Sequence, residues 1–331
     1  MISLSRKCAM SRKHKENTTA EFKGNFIMVT QSGEDHFKDR LYIYWDINTV
    51  CNYKCSYCYA RAKYERGGLW SKQPAERDQK LILLSIKSST LPVYLGFHGG
   101  EPSLHPNFES LVESTLDALT HELSLLYIAT NLSRVNRIIE LPKTDKIRIL
   151  ASFHPEYADP YEFVESVLKV SQRFKIKVNV LLHTDKRYWD SLHYVYDTCS
   201  SHNITAHPHF IYDQEGDKEI LWNYTPDFYA EFNYMKNTPC KYVFTTDGST
   251  NVVTDVEMFE QNLNRFKGWY CYNNNYEILV DNTVRRLCTN DLIDITKDPL
   301  FFRRICKIKP MICPFDNCSS DGVLKCLKHS P

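Results

Sequence analysis

Between residues 41 and 211 the chain switches repeatedly between short runs of β-formers and stretches of helical spacing, and this alternation limits the fold more than any other feature. The strand candidates are Leu41–Ile47, Val93–His98, Leu125–Thr130, Ile147–Phe153, Ile176–Leu182 and Ile204–Ile211. Helical spacing fills the intervals around residues 76–88, 108–121, 133–140, 160–173 and 187–200. Strands that alternate with helices at this pace form right-handed βαβ units and a parallel sheet. Six such units make either an open doubly wound sheet or a partial barrel. In both, ligands bind beyond the C-terminal ends of the strands.

The pattern changes after about residue 215. Residues 227–236 read as a helix. Residues 241–253 read as a hairpin around Asp247-Gly248, and residues 277–287 as another, turning at Asp281-Asn282. The expected organisation is a polar tail or loose first element over 1–39, a core over 40–215, a connecting helix and hairpin over 216–262, and a cysteine-rich unit over 263–331. The basic residues Arg6, Lys7, Arg12, Lys13 and Lys15 have no apolar run behind them, so they read as a solvated tail rather than a secretory signal. No apolar run is long enough to span a bilayer. The net charge of +1 offers no global field for nucleic acid, which is not an expected partner. The expected location is cytoplasmic.

Twelve cysteines are many for a chain that reads as intracellular, where thiols serve metal or redox chemistry more than disulfides. Three of them, Cys51, Cys55 and Cys58, lie on the loop after the first strand. Three thiolates suit a zinc knuckle with a distant fourth ligand, or an iron–sulfur cluster with one iron left open for chemistry. The spacing C-x3-C-x2-C on this loop resembles the signature of the radical S-adenosylmethionine (SAM) superfamily, with Tyr57 matching the aromatic residue that family places near the adenine. The resemblance implies an α/β fold, a partial (β/α)6 TIM-type barrel with a small cysteine-rich C-terminal extension. It also implies a [4Fe-4S] cluster on Cys51, Cys55 and Cys58 whose open iron is chelated by SAM. One electron then cleaves the sulfonium, and a 5′-deoxyadenosyl radical abstracts hydrogen from a substrate.

The second strand ends in Gly99-Gly100-Glu101-Pro102, followed by Ser103-Leu104-His105-Pro106. Paired glycines let backbone approach a ligand, and a glutamate can hold an ammonium. The run resembles the GGEP motif of the same family, which binds the amino group of SAM. By the same resemblance Asn131, in the pair Thr130-Asn131, lies near SAM, and Ser152 matches a position that binds its ribose. Independently of the family, histidines recur at expected strand ends: His98, His154, His183, His207 and His209. Ser152 and His154 share parity and so face one side of their strand. His154 and His183 are therefore candidates for substrate binding or proton transfer.

Six cysteines lie between Cys271 and Cys326. Cys271, a hairpin and Cys288 resemble the start of the SPASM and twitch extensions, and Cys313-Pro-Phe-Asp-Asn-Cys318 their later ligand segment. The resemblance implies an auxiliary [4Fe-4S] cluster on Cys271, Cys288, Cys313 and Cys318, with Cys306 and Cys326 in reserve. The usual hairpin glycine is replaced by Asn282, which tolerates left-handed geometry. A zinc site is the alternative. The expected activity is radical modification of a peptide or small molecule, with an external electron donor such as a flavodoxin or ferredoxin. RNA or nucleotide modification, or a metal-binding sensor or maturation protein, are the alternatives.

Overall fold

The computed structural model describes residues 25–30, 40–66, 68–69, 72–215, 218–221, 223–236, 240–246, 249–254, 263–289, 291–305, 309–316, 318 and 326–330. Cys8, Cys306 and the Asp247-Gly248 turn lie outside them. The chain opens with β1 (Asn25–Thr30) and β2 (Leu41–Asn48). The barrel repeat continues as α1 (Tyr59–Arg66), α2 (Glu76–Lys87), β3 (Val93–Gly99), α3 (Phe108–Ala118), β4 (Leu123–Thr130), α4 (Val135–Ile139), β5 (Ile147–Phe153), α5 (Pro160–Ser171), β6 (Lys175–Leu182), α6 (Trp189–Ser201) and β7 (Thr205–Phe210). Beyond it come β8 (Tyr212–Glu215), β9 (Lys218–Leu221), α7 (Pro226–Glu231), β10 (Cys240–Thr246) and β11 (Ser249–Thr254). The C-terminal part holds β12 (Tyr270–Cys271), β13 (Asn275–Ile278), β14 (Thr283–Arg286), β15 (Ile293–Asp294), α8 (Phe301–Arg304), β16 (Met311–Ile312) and β17 (Lys328–His329).

Strands β2 to β7 pair in parallel and in sequence order, as the alternation requires, and form the partial barrel. Each buries alternate residues. On β5 these are Ile147, Ile149, Ala151 and Phe153, which meet the helices; Phe153 contacts Phe163 of α5 with ring centroids 5.2 Å apart. The other parity, including Ser152, is half-buried and lines the inner face. Helix starts are fixed locally: the Asp159 carboxylate accepts the N–H groups of Tyr161 and Glu162, and Pro160 supplies the first helical φ of α5. Among the described residues no helix is long and apolar enough to cross a membrane.

Two features lay outside the expected organisation. Strand β13 pairs in parallel with β2, and β14 and β15 follow it antiparallel, so the C-terminal hairpin extends the barrel sheet to nine strands. Strand β1 falls within the stretch expected as a tail. It pairs antiparallel with β10 and β17 in a second, six-stranded sheet. Its sequence, Asn-Phe-Ile-Met-Val-Thr, is rich in β-formers and carried the signal. At the hairpin turn Asn282 has φ 66°, the left-handed value its residue type tolerates.

Candidate active site at the strand ends

Glu101 sits where β3 ends, 1% exposed. Its Oε1 accepts from the Ser103 amide at 3.0 Å, the Ser103 hydroxyl at 2.5 Å and the Thr130 hydroxyl at 2.8 Å. Among the described residues its Oε2 accepts only the Asn131 amide, at 2.6 Å. Leu132, at φ 59°, turns the chain so that this amide points inward, and its own N–H donates to Thr130 Oγ1 at 3.0 Å. Burial pushes the Glu101 carboxyl up, against the pull of its four donors. Among the described residues no cation pairs with it. A buried carboxylate with its free lone pairs on one oxygen and no counter-charge fits a ligand that brings an ammonium.

At Gly99 and Gly100 the side where a Cβ would lie is filled by backbone. A Cβ on Gly99, whose φ is 127°, would lie 1.8 Å from the Asn48 carbonyl oxygen, and one on Gly100 2.2 Å from that of Val50. The space is taken by the end of β2. The Gly100 amide donates to Asn48 O at 3.0 Å and the Glu101 amide to Val50 O at 2.7 Å. The glycines thus lock the glutamate strand to the backbone that enters the cysteine loop.

That loop carries Cys51, Cys55 and Cys58. The Tyr53 amide donates to Cys51 Sγ and the Arg61 amide to Cys58 Sγ, both at 3.4 Å. Burial pushes the Cys51 thiol up to about 11 and that of Cys55 to about 12; Cys58 is pushed up too, for the same reason. Among the described residues no three His, Cys, Asp or Glu side chains converge on a single metal ion. Three thiols on one loop, two with amides aimed at sulfur, suit a multi-iron cluster, which spreads its ligands, better than one ion.

Two neighbouring loops grip this segment. Asn131 Nδ2 and Ser133 Oγ both donate to Asn52 Oδ1 at 3.1 Å. From the end of β5, His154 Nδ1 lies 3.5 Å from Cys55 Sγ and 3.3 Å from the Tyr57 hydroxyl. The Glu156 carboxylate accepts from the Ser56 amide at 2.7 Å and meets His183 Nε2 at 3.3 Å. Tyr157 donates to Lys54 O at 3.1 Å and stacks on Tyr53 with centroids 5.4 Å apart. Tyr57 stacks on His154 and touches His183 edge-on. Burial lowers His154 to about 4 and also lowers His183, so both imidazoles are held neutral. Of the expected residues, Tyr57, His154 and His183 thus meet at Cys55. Glu101 and Asn131 meet beside Cys51, while Ser152 lies apart on the inner face opposite Asn179. His98 points away from these groups, its Nε2 2.9 Å from the Tyr127 hydroxyl.

Sequence reasoning missed Glu156 and Tyr157. Their only signal was a polar, aromatic run after a strand end. It also missed Arg137 of α4, whose guanidinium donates to the carbonyls of Ser103 at 2.6 Å and His105 at 2.9 Å.

At the C-terminal end, Cys271, Cys313, Cys318 and Cys326 are buried in one cluster with Phe266 and Leu287, and Cys288 packs against its edge. Of the expected set, Cys271, Cys313 and Cys318 therefore share one buried cluster with Cys326, and Cys288 lies at its edge; among the described residues no three of these thiols converge on one metal ion. Three buried asparagines, Asn273, Asn274 and Asn275, surround the group; Asn275 Nδ2 donates to Cys326 Sγ at 3.2 Å. Asn275 Oδ1 in turn accepts from the Tyr44 hydroxyl of β2 at 3.0 Å, which ties this cluster to the inner face of the barrel.

The profile of the radical SAM superfamily matches residues 45–210. No curated protein matches the chain. Three solved structures are similar at 15% identity. SuiB of Streptococcus suis bound to S-adenosylmethionine has a TM-score of 0.49, with 81% of this chain and 68% of that one covered. Native anSMEcpe with bound AdoMet has 0.47, covering 79% and 80%. BtrN in complex with AdoMet and 2-DOIA has 0.36, covering 87% and 96%.

Proposed function

We propose, from the premise that this chain belongs to the radical SAM superfamily, that it uses SAM to modify a peptide or small molecule by hydrogen abstraction. The observation that carries this reading is the pairing of three loop thiols with a buried, uncompensated carboxylate at the adjacent strand end. Cys51, Cys55 and Cys58 would hold a [4Fe-4S] cluster, and Glu101 Oε2 would take the SAM ammonium. Bound together, cluster and SAM supply one-electron cleavage of the sulfonium and a carbon radical able to take a hydrogen atom.

The protein's own part is positioning. Glu156, Tyr157 and Asn131 fix the cysteine loop from two sides. Tyr57 and His154 form a stacked wall beside Cys55. Ser152 and Asn179 line the inner face where a ribose or substrate would lie. His154 and His183, both neutral at physiological pH, are the candidates for substrate binding or proton transfer, with His183 held at Nδ1 by the Asp185 amide and at Nε2 by Glu156.

In the same reading, residues 40–215 form the radical core, 216–262 the connection, and 263–331 hold an auxiliary [4Fe-4S] cluster. Cys271, Cys313 and Cys318 supply three of its ligands, and Cys326 or Cys288 the fourth. A flavodoxin or ferredoxin would deliver the electron in a reducing compartment such as the cytoplasm.

Anaerobic reconstitution with iron and sulfide tests the reading. About eight irons per chain are expected if both clusters form. Dithionite and SAM should then give 5′-deoxyadenosine, and changing Cys51, Cys55 and Cys58 to Ala should abolish it. Zinc without iron, and no 5′-deoxyadenosine, overturns the reading.

A further inference from the structure

The barrel has a second opening, at the end where its strands begin. A cavity of about 560 Å³ lies there, lined by Tyr94 of β3, Ser124 and Leu125 of β4, and Asp145, Lys146 and Arg148 around the start of β5. The cysteine loop, Glu101 and His154 lie at the opposite ends of the same strands, so the cavity is separate from their site. In barrels of this class the end where strands begin serves stability, and a charged cavity there calls for its own account.

Arg148 gives the cavity its chemistry. It shares the parity of Leu150 and Ser152, so it leans to the inner face, half-buried. Among the described residues the other buried and half-buried arginines, Arg40, Arg61, Arg137, Arg285 and Arg286, each give the guanidinium to a carboxylate, a carbonyl or a hydroxyl. Arg148 gives its guanidinium to none of the described residues. Further positive charge stands close by. Arg40 is pinned against Tyr94, donating to the phenol oxygen at 2.6 Å and lying 4.9 Å from the ring centroid. Lys146 donates to the Thr120 carbonyl at 2.8 Å, and Lys175 is paired in register with Arg148 on the neighbouring strand. The lining holds one acid, Asp145, and it is exposed.

A guanidinium presents a planar fork of donors that matches a carboxylate or a phosphoryl group. Tyr94 and Leu125 add apolar wall, and the volume is that of a small-ligand site. We propose that this cavity binds a small organic anion, a carboxylate or phosphate group on an apolar body, with Arg148 as its main contact. The binding needs neither cluster nor SAM, so it stands or falls apart from the radical reading.

The test uses the full chain as purified and two probes with the same phenyl body, benzoate and phenyl phosphate, titrated by isothermal calorimetry. At least one should saturate a single site in the wild type, and which one does tells carboxylate from phosphoryl recognition. Arg148→Gln should weaken that binding at least about tenfold, the loss of a charge-assisted pair. Arg148 has no partner to lose, so this variant should keep the wild-type melting temperature. Ser124→Trp fills the cavity, leaves Arg148 in place and should abolish binding; it decides the matter if Arg148→Gln fails to fold. Absence of saturable binding by either probe overturns the proposal. So does binding unchanged in a folded Arg148→Gln protein or kept in Ser124→Trp, because the anion then sits elsewhere.

Discussion

At the N-terminal loop, burial and the nearby carboxylates of Glu101 and Glu156 push Cys51 up to about 11 and Cys55 up to about 12. At the C-terminal cluster the Cys326 thiol, assisted by Lys328 and Arg286, brings Cys271 down to about 6. Cys55 and Cys271 are both buried, yet the carboxylates acting on Cys51 and Cys55, and the thiol and cations acting on Cys271, work in opposite directions. The N-terminal loop is held by acceptors and by backbone amides; one cation lies beside it, Arg61, which pairs with Glu65 at 2.6 Å and whose charge works against the burial that raises Cys58. At the C-terminal cluster a buried lysine, Lys328, donates to the Cys326 carbonyl at 3.1 Å. In the proposed reading, a site that leaves one iron open to SAM gains from a carboxylate beside it to receive the ligand's ammonium.

The largest expected effect separates the two groups outright. Changing Cys51, Cys55 and Cys58 to Ala should remove about four irons and all 5′-deoxyadenosine. Cys271→Ala should remove a similar number while SAM cleavage survives. Iron and sulfide counts with product assay read both. If Cys271→Ala also abolished SAM cleavage, the two sites would be one functional unit and the comparison would fail. Between Cys288→Ala and Cys326→Ala, only one should lose the auxiliary iron, and that one names the fourth ligand.

Next comes the hairpin that ties the two regions. Arg285 and Glu277, 4% and 5% exposed, form a buried pair 2.5 Å apart, in register with Tyr44 of β2. Arg285→Met takes the guanidinium away from a buried carboxylate and should cost about 3–5 kcal/mol. Denaturant unfolding measures it, and a loss below about 1 kcal/mol would mean that solvent reaches Glu277. The clamp on the N-terminal loop is smaller. Glu156→Ala removes the acceptor of the Ser56 amide and should cost about 1–3 kcal/mol. It should also speed iron loss from that loop but not from the C-terminal cluster, as chelator-challenge kinetics can show.

The barrel was legible because each strand and helix carries its own period. Ile147–Phe153, for example, buries every second residue whatever its neighbours do. The cysteine loop and Glu101 were legible because their spacing is local. What the sequence hid is long-range. The parallel pairing of β13 with β2 joins segments more than 230 residues apart and leaves no periodic mark in either. Gly99 and Gly100 showed that backbone comes close, but not whether to a ligand or, as found, to Asn48 and Val50.

The smallest effect concerns Arg137, which holds the backbone beside Glu101. Arg137 bonds the Glu109 carboxylate through Nε at 2.5 Å, as well as the carbonyls of Ser103 and His105. The pair is about a third exposed, so its ionic part is worth no more than about 1 kcal/mol. The carbonyl bonds bring the expected loss for Arg137→Ala to about 2 kcal/mol. The two parts separate by pH. Arg137 holds the Glu109 carboxyl below its ordinary value of 4.5. A carboxyl lowered by folding contributes stability that is full above its unfolded pKa and lost as pH falls through its folded one. The gap between wild type and Arg137→Ala should therefore be widest above about pH 5 and narrow as the pH falls through the lowered Glu109 value. The carbonyl part remains, because the guanidinium does not titrate there. A gap that stays flat across this range would mean that Glu109 adds nothing, and that Arg137 acts only by holding the backbone on which Ser103 reaches Glu101.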